Sequence, residues 1–332
     1  MSDPKILGPW VRRFLLEHIV AERNLSINTQ KSYRDTLTLL LPFACVQSSL
    51  QIDRMTVNDL SPKVVRQFLE NIEHERSCSI ATRNQRLAAI HSLARFIGMR
   101  SPEHISWYAE VRSIPFKKTT KPMVGYLEKP ELDALLEQPD RKTIQGVRDH
   151  ALLLFLYNSG ARADEAAKLT VGSLQMGTSP AVRILGKGNK LRICPLWPQT
   201  ISALQPLTQG RSLSDAVFIG RGGRALTRFG IHRIVTTYAS LAGESWVSLN
   251  RKNVSPHTIR HTTAVHLLRS GVDINTIRAW LGHVSMDTTQ IYAEVDLEMK
   301  AKALASVNIE SLSKPAKPNP PTPSLMLFLN SL

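Results

Sequence analysis

Three absences set the first limits on this chain. It has no long apolar run: the longest, ALLLFLY at residues 151–157, falls far short of the ~20 residues a membrane-spanning helix needs. It has only three cysteines, Cys45, Cys78 and Cys194, odd in number and widely spaced. That excludes a disulfide framework and a zinc knuckle, and it sets a reduced, cytoplasmic compartment as the expectation. It is also short of acid, with 27 Asp and Glu against 42 Lys and Arg, a formal net charge of +15. A solvated basic surface with no partner would give such a balance, and so would a polyanionic partner, a nucleic acid or an anionic membrane surface. The opening MSDPKILGPW is polar and runs into an amphipathic pattern, so no secretory leader is expected.

What remains is ordinary for a globular protein: 42% hydrophobic and 21% charged residues over a length suited to roughly two domains. The first part reads as four helices. Trp10, Phe14, Leu15 and Ile19 recur at helical spacing, and Ser26 caps a second helix expected to stop at Pro42. Ser61 and Pro62 open a third, and a fourth carries Ile80, Leu87, Ile90, Leu93 and Ile97 as its stripe. Arg83, Arg86 and Arg95 on that fourth helix are expected on its solvated face. SIPFKKTTKPMVG then breaks the periodicity with prolines, a glycine and lysines, as a linker would. Charge is uneven across it, +4 for residues 1–115 and +11 for 116–332.

The second part mixes elements. GVRDHALLLFLYNSG reads as a buried helix ended by Gly160, and AVRIL-GKGNK-LRICPL as a β-hairpin. A helix capped by Thr227 is expected to stop at Gly243. Ser255 and Pro256 open another, INTIRAWL is a short helix ended by Gly282, and a further one lies around MDTTQIYAEV. SKPAKPNPPTPS is a proline-rich tail, and the apolar end LMLFLNSL follows it.

Chemistry concentrates in SPHTIRHTTAVHLLRSG, residues 255–271. His257, Arg260 and His261 stand three and four apart, near one face of the helix. A zinc site, a satisfied helix face and a phosphate-gripping site could all produce this cluster. Zinc is disfavoured because a threonine, Thr258, follows the first histidine where a zincin has glutamate, and because an arginine lies between the two histidines. Elsewhere Arg162 follows a glycine break, with Asp164 and Glu165 after it. Lys187 sits in a hairpin turn between two glycines, without Walker spacing. LGHVSMDTTQIYAEV supplies His283 and Tyr292.

In order and local context, SGARADE, GKGNKLR, HTIRH, LGH and IY resemble the motifs of the tyrosine recombinases, the phage integrase family. The resemblance is close from about 125 to 311 and looser in the helical first part. Ala161 departs from it, standing where a leucine is usual before the arginine, which changes packing and leaves the chemistry in place.

The resemblance implies a mainly α fold with a small β-sheet: a helical core-binding, DNA-binding domain at 1–112, a linker at 113–124, a mixed α/β catalytic domain with its C-terminal helix at 125–311, and a Pro-rich tail at 312–332. It implies catalytic roles for Arg162, Lys187, His257, Arg260, His283 and Tyr292, with no cofactor and no metal. Tyr292 would be the nucleophile, His257 its base, Arg162 and Arg260 the phosphate clamp, Lys187 the acid and His283 a hydrogen-bond donor, with His261 behind them. The implied partners are double-stranded DNA bearing specific recombination sites, further copies of the chain in a tetramer, and other recombinases in some systems, with no membrane. Leu297, Ala301 and Leu304 would form the apolar stripe of a C-terminal helix that packs into a neighbouring subunit. The helical module at the start matches the simple, Xer-like integrases, with integration or excision of a mobile element as the expected role. Such a protein would be cytoplasmic and nucleoid-associated. A type IB topoisomerase-like enzyme and a catalytically silent DNA-binding accessory protein stand as the alternatives.

Overall fold

The computed structural model describes residues 5–119, 125–186 and 188–282. Lys187, His283, Tyr292, the helix around MDTTQIYAEV, the C-terminal helix of 294–311 and the Pro-rich tail all lie outside the described residues. The chain divides into two compact units, Met1–Lys121 and Pro122–Leu332. No described helix is long and apolar enough to cross a membrane.

The first unit is helical. α1 (Leu7–Arg13) runs on as a π-helical stretch, Phe14–Glu22, and is followed by α2 (Ile27–Ser48), α3 (Pro62–His74), α4 (Ile80–Gly98) and α5 (Ile105–Arg112). Ser26, Ser61 and Ser79 each accept a hydrogen bond from the backbone three residues on, satisfying an N–H that the helix leaves without a partner. α2 does not stop at Pro42. Thr38, whose carbonyl would have bonded the missing N–H, is an exposed residue. Leu37, Leu40 and Ala44 carry the buried stripe straight past the proline, so packing holds the helix together. α5 was not legible as a helix. Its Trp107 is buried and donates its indole N–H to the Leu60 carbonyl at 2.9 Å.

Arg83 corrects the expectation of a solvated arginine face. It is buried, donating to the Pro115 carbonyl at 3.0 Å and to Asn84 at 3.1 Å. Asn84 in turn brackets the backbone of Lys117 through both its amide atoms. Residues 113–117 are thereby docked on α4.

The second unit holds α6 (Lys129–Glu137), α7 (Ile144–Ser159), α8 (Ala163–Ala167), β1 (Leu174–Gln175), β2 (Ala181–Leu185), β3 (Leu191–Pro195), α9 (Pro198–Thr208), α10 (Arg228–Ser245), α11 (Pro256–Arg269) and α12 (Ile274–Leu281). The strands form one antiparallel sheet in the order β1-β2-β3, with Val182 opposite Cys194 and Arg183 opposite Ile193. α10 passes Gly243 and ends at Ser245. Gly243 serves packing instead: a Cβ there would stand 2.2 Å from Oδ1 of Asn250.

α7 is the axis of the core, with every residue from Ala151 to Leu156 buried. It ends at Gly160, whose φ of +58° is left-handed, and a Cβ there would lie 2.3 Å from Leu281. α11 packs beside α7, and Thr263 donates to the Tyr157 carbonyl at 2.7 Å. The ends of α7 and α12 and the start of α11 are thus drawn to one place.

Candidate active site

Ser255 caps α11 by accepting from the Thr258 N–H, and Pro256 fits the first turn because its missing N–H would have had no partner there. This fixes the phase of the helix. His257 is exposed, whereas Arg260 is 3% exposed and turned inward. The two lie near each other at different depths, His257 at the surface and Arg260 inside. Arg260 donates through Nη1 to the Gly160 carbonyl at 2.5 Å and through Nη2 to the Leu281 carbonyl at 2.6 Å. These carbonyls belong to the C-terminal ends of α7 and α12, where helix dipoles concentrate negative charge. A single guanidinium therefore ties two helix ends to the start of a third.

Arg162 follows directly. After the left-handed turn at Gly160 the chain becomes extended, and Arg162 is the N-cap residue of α8. Its backbone N–H and its Nη1 donate to the two oxygens of Glu165, at 2.9 and 2.7 Å. The Arg162 side chain is about one-third exposed, at 32%, while Glu165 is buried. Arg192 on β3 donates to the same carboxylate, Nη2 to Oε2, at 2.7 Å. Burial pushes the Glu165 carboxyl up, but the hydrogen bond and charge of Arg192, joined by Arg162, hold it below the usual carboxylate range.

His257 feels this cluster. Desolvation by the surrounding protein lowers its pKa, and the positive charges of Arg260, Arg162 and His232 lower it further. The imidazole is therefore neutral at pH 7 and able to accept a proton. His261 is depressed more strongly, to about 4, by burial first and then by His257 and Arg260.

A stability prediction follows with a definite sign. Between pH 6.5 and about 4 the unfolded chain protonates this histidine and the folded chain does not. The contribution of His261 is fully present above 6.5 and is lost as pH falls through that window. Over the whole window it is on the order of 3 kcal/mol. Urea denaturation at pH 7 and pH 5 should show a smaller acid loss for His261→Gln than for wild type. Equal losses in the two proteins would refute the assignment.

Of the six residues singled out in the sequence, the structure brings Arg162, His257 and Arg260 together, and the other three lie outside the described residues. The described flanks show what leads to them. The Gly186 N–H donates to the Lys190 carbonyl at 2.8 Å and closes the hairpin around Lys187. Gly282, the left-handed cap of α12 at φ +65°, immediately precedes His283. Sequence reasoning missed Arg192. Only the β-hairpin itself was legible there: Leu191 and Ile193 are 61% and 59% exposed, and Arg192 is 8% exposed on the inward face.

Comparison with known proteins gives this arrangement its context. The family model described as "Phage integrase family" matches residues 125–299, and "Phage integrase, N-terminal SAM-like domain" matches 12–100. An integrase/recombinase of Sinorhizobium fredii is 36% identical over the full length of both chains. The chain belongs to the phage integrase family. As a member it is a tyrosine recombinase, an enzyme of site-specific recombination.

Among other relatives, the tyrosine recombinase XerC of Pelobacter propionicus is 31% identical, covering 87% of this chain and 91% of its own. Two solved structures share the fold at lower identity. One is the XerH recombinase bound to a palindromic difH substrate after cleavage, with a TM-score of 0.63 and 22% identity over 86% of this chain and 81% of that one. The other is the Tn1549 transposon integrase in complex with circular-intermediate DNA, with a TM-score of 0.67 and 15% identity over 89% and 98%. The mainly helical build with one small antiparallel sheet is the fold of these recombinases.

Proposed function

We propose that the protein cuts and rejoins double-stranded DNA at specific recombination sites through a 3′-phosphotyrosyl intermediate. The observation that carries the reading is the convergence of Arg162, Arg260 and a neutral His257 where α7, α11 and α12 meet. Strand exchange has to break a phosphodiester and reform it without an energy source, and a covalent ester keeps the bond energy.

In this reading the Tyr292 oxygen attacks the scissile phosphorus while its proton passes to His257, neutral because its surroundings disfavour the imidazolium. The bond from phosphorus to the 5′-oxygen breaks, and Lys187 protonates that oxygen. Arg162 and Arg260 stabilise the charge that builds on the non-bridging oxygens, and His283 donates a hydrogen bond to the phosphate. A neutral Tyr–His pair and two guanidiniums cover the roles that divalent cations fill in other phosphoryl transfers, so the reaction needs no metal. Arginine suits the clamp because it stays charged at any working pH and presents a planar fork to phosphate.

The functional division places a DNA-binding core module at 1–112, a linker at 113–124, the catalytic domain at 125–311 and a tail at 312–332. Phosphate contacts from the strongly basic chain supply much of the DNA affinity and make it fall with salt. The protein assembles as a tetramer on two sites, integrates or excises a mobile element, and works in the cytoplasm on the nucleoid. The full-length similarity to the Sinorhizobium integrase/recombinase and the fold shared with the transposon integrase support the mobile-element role.

The experiment that tests this reading is covalent capture. Protein incubated with fragmented element and host DNA, then stopped with detergent, gives protein-linked DNA in equal amount with and without EDTA. Adducts lost on chelation would contradict the metal-free mechanism, and their complete absence would contradict the reading itself.

A further inference from the structure

Glu165 is a buried carboxylate shared by two guanidiniums that arrive from different elements. Arg162 reaches Oε1 from the start of α8, and Arg192 reaches Oε2 from the inward face of β3, both at 2.7 Å. Glu165 and Arg192 are both buried, while Arg162 remains partly open to solvent. One negative charge against two positive ones leaves a net +1, and the accessible share of it lies on Arg162.

Arg192 also sits between two close backbone approaches. A Cβ on Gly186, the residue before Lys187, would lie 3.4 Å from Glu165 Oε1 and 3.5 Å from Arg192 Nη1. A Cβ on Gly282, the residue before His283, would lie 3.1 Å from Arg192 Cδ. The same guanidinium stem thus touches the hairpin that leads to Lys187 and the turn that leads to His283.

We propose that Arg192 is a positioning residue for strand cleavage: by neutralising Glu165 from β3, it leaves the Arg162 charge available to the scissile phosphate and fixes the direction in which that guanidinium points. This rests on the phosphate-clamping role proposed for Arg162. Without Arg192, Arg162 and Glu165 form a closed neutral pair, because a buried carboxylate takes the nearest cation. The clamp then competes with its own anchor.

The electrostatics make this separable from a merely structural role. If Arg192 acts by neutralising Glu165, removing the carboxylate charge relieves the need for it. Arg192→Met should slow single-turnover cleavage of a nicked duplex, carrying a site recovered from wild-type adducts, by on the order of 10²-fold. Adding Glu165→Gln, whose amide oxygen still accepts from Arg162, should return about tenfold of that loss, since one charge is removed with its partner. Arg192→Lys, which keeps the charge and loses the planar fork, should lie between Arg192→Met and wild type. A structural role gives the opposite pattern, with the double variant no faster than Arg192→Met, and that result overturns the proposal.

A second readout needs no DNA. The ¹³C resonance of the Glu165 carboxyl, assigned by its loss in Glu165→Gln, should titrate at a higher pH in Arg192→Met than in wild type, because one of the two cations that hold the carboxylate ionised is gone. The charged groups described around this carboxyl are Arg162 and Arg192, with the Cys194 thiol beside them. Identical titrations in the two proteins overturn the proposal even if wild type forms no adduct, a result that would sink only the reaction assigned to the site.

Discussion

Arg260→Met is expected to lower both stability and activity sharply. The guanidinium satisfies the Gly160 and Leu281 carbonyls in a nearly closed interior, and methionine can accept neither task. Breaking a buried charge-assisted network of this kind costs roughly 3–5 kcal/mol. For the unit Pro122–Leu332, which holds this residue, the corresponding fall in Tm is about 7–11 °C, readable by thermal denaturation. Cleavage should fall by on the order of 10³-fold or more even at temperatures where the variant is fully folded, since one phosphate-stabilising donor is lost as well. Arg260→Lys keeps the charge but cannot reach two carbonyls at once in the same plane, so it should recover stability only in part. An Arg260→Met variant with wild-type Tm would show that the helix junction does not depend on this residue.

Tyr292→Phe is expected to have the opposite signature, with stability and DNA binding kept and chemistry lost. The substitution removes one oxygen atom and leaves the ring. Salt-sensitive binding to DNA fragments should be unchanged, because it comes from phosphate contacts spread over a basic surface. Covalent adducts should fall by at least about 10⁴-fold, since no neighbouring group can stand in for a missing nucleophile. A variant that still forms adducts would move the nucleophile elsewhere. One that loses binding as well would mean that Tyr292 has a packing role instead.

Local chemistry was legible wherever a few neighbouring residues decide the outcome. The caps at Ser26, Ser61, Thr227 and Ser255 each accept the expected backbone N–H, and Gly160 and Gly282 end their helices in the left-handed region. The hairpin of β2 and β3 falls on the two β-rich runs. Two short helices, α6 and α9, escaped notice although Pro130 and Pro198 mark their first turns, a signal that sequence reading can use.

Long-range acceptors were not legible, and they govern the site. Arg83, Arg192 and Arg260 are buried because their acceptors arrive from 32, 27, 100 and 21 residues away. Nothing local distinguishes such an arginine from one on a solvated face. β3 shows the same limit: its residues alternate regularly, but the inward face is the one that carries Arg192 and Cys194, with Arg192 on Glu165, and Leu191 and Ile193 face out. The catalytic candidates could be picked out from their order along the chain. The reason Arg162 points where it does could not.

Identification of the modified residue tests the central claim most directly. Wild-type protein trapped on DNA is digested with nuclease and protease, and the peptide that carries the nucleotide remnant is sequenced by mass spectrometry. A phosphotyrosyl mechanism puts the remnant on the phenolic oxygen of Tyr292. A remnant on any other side chain would contradict it.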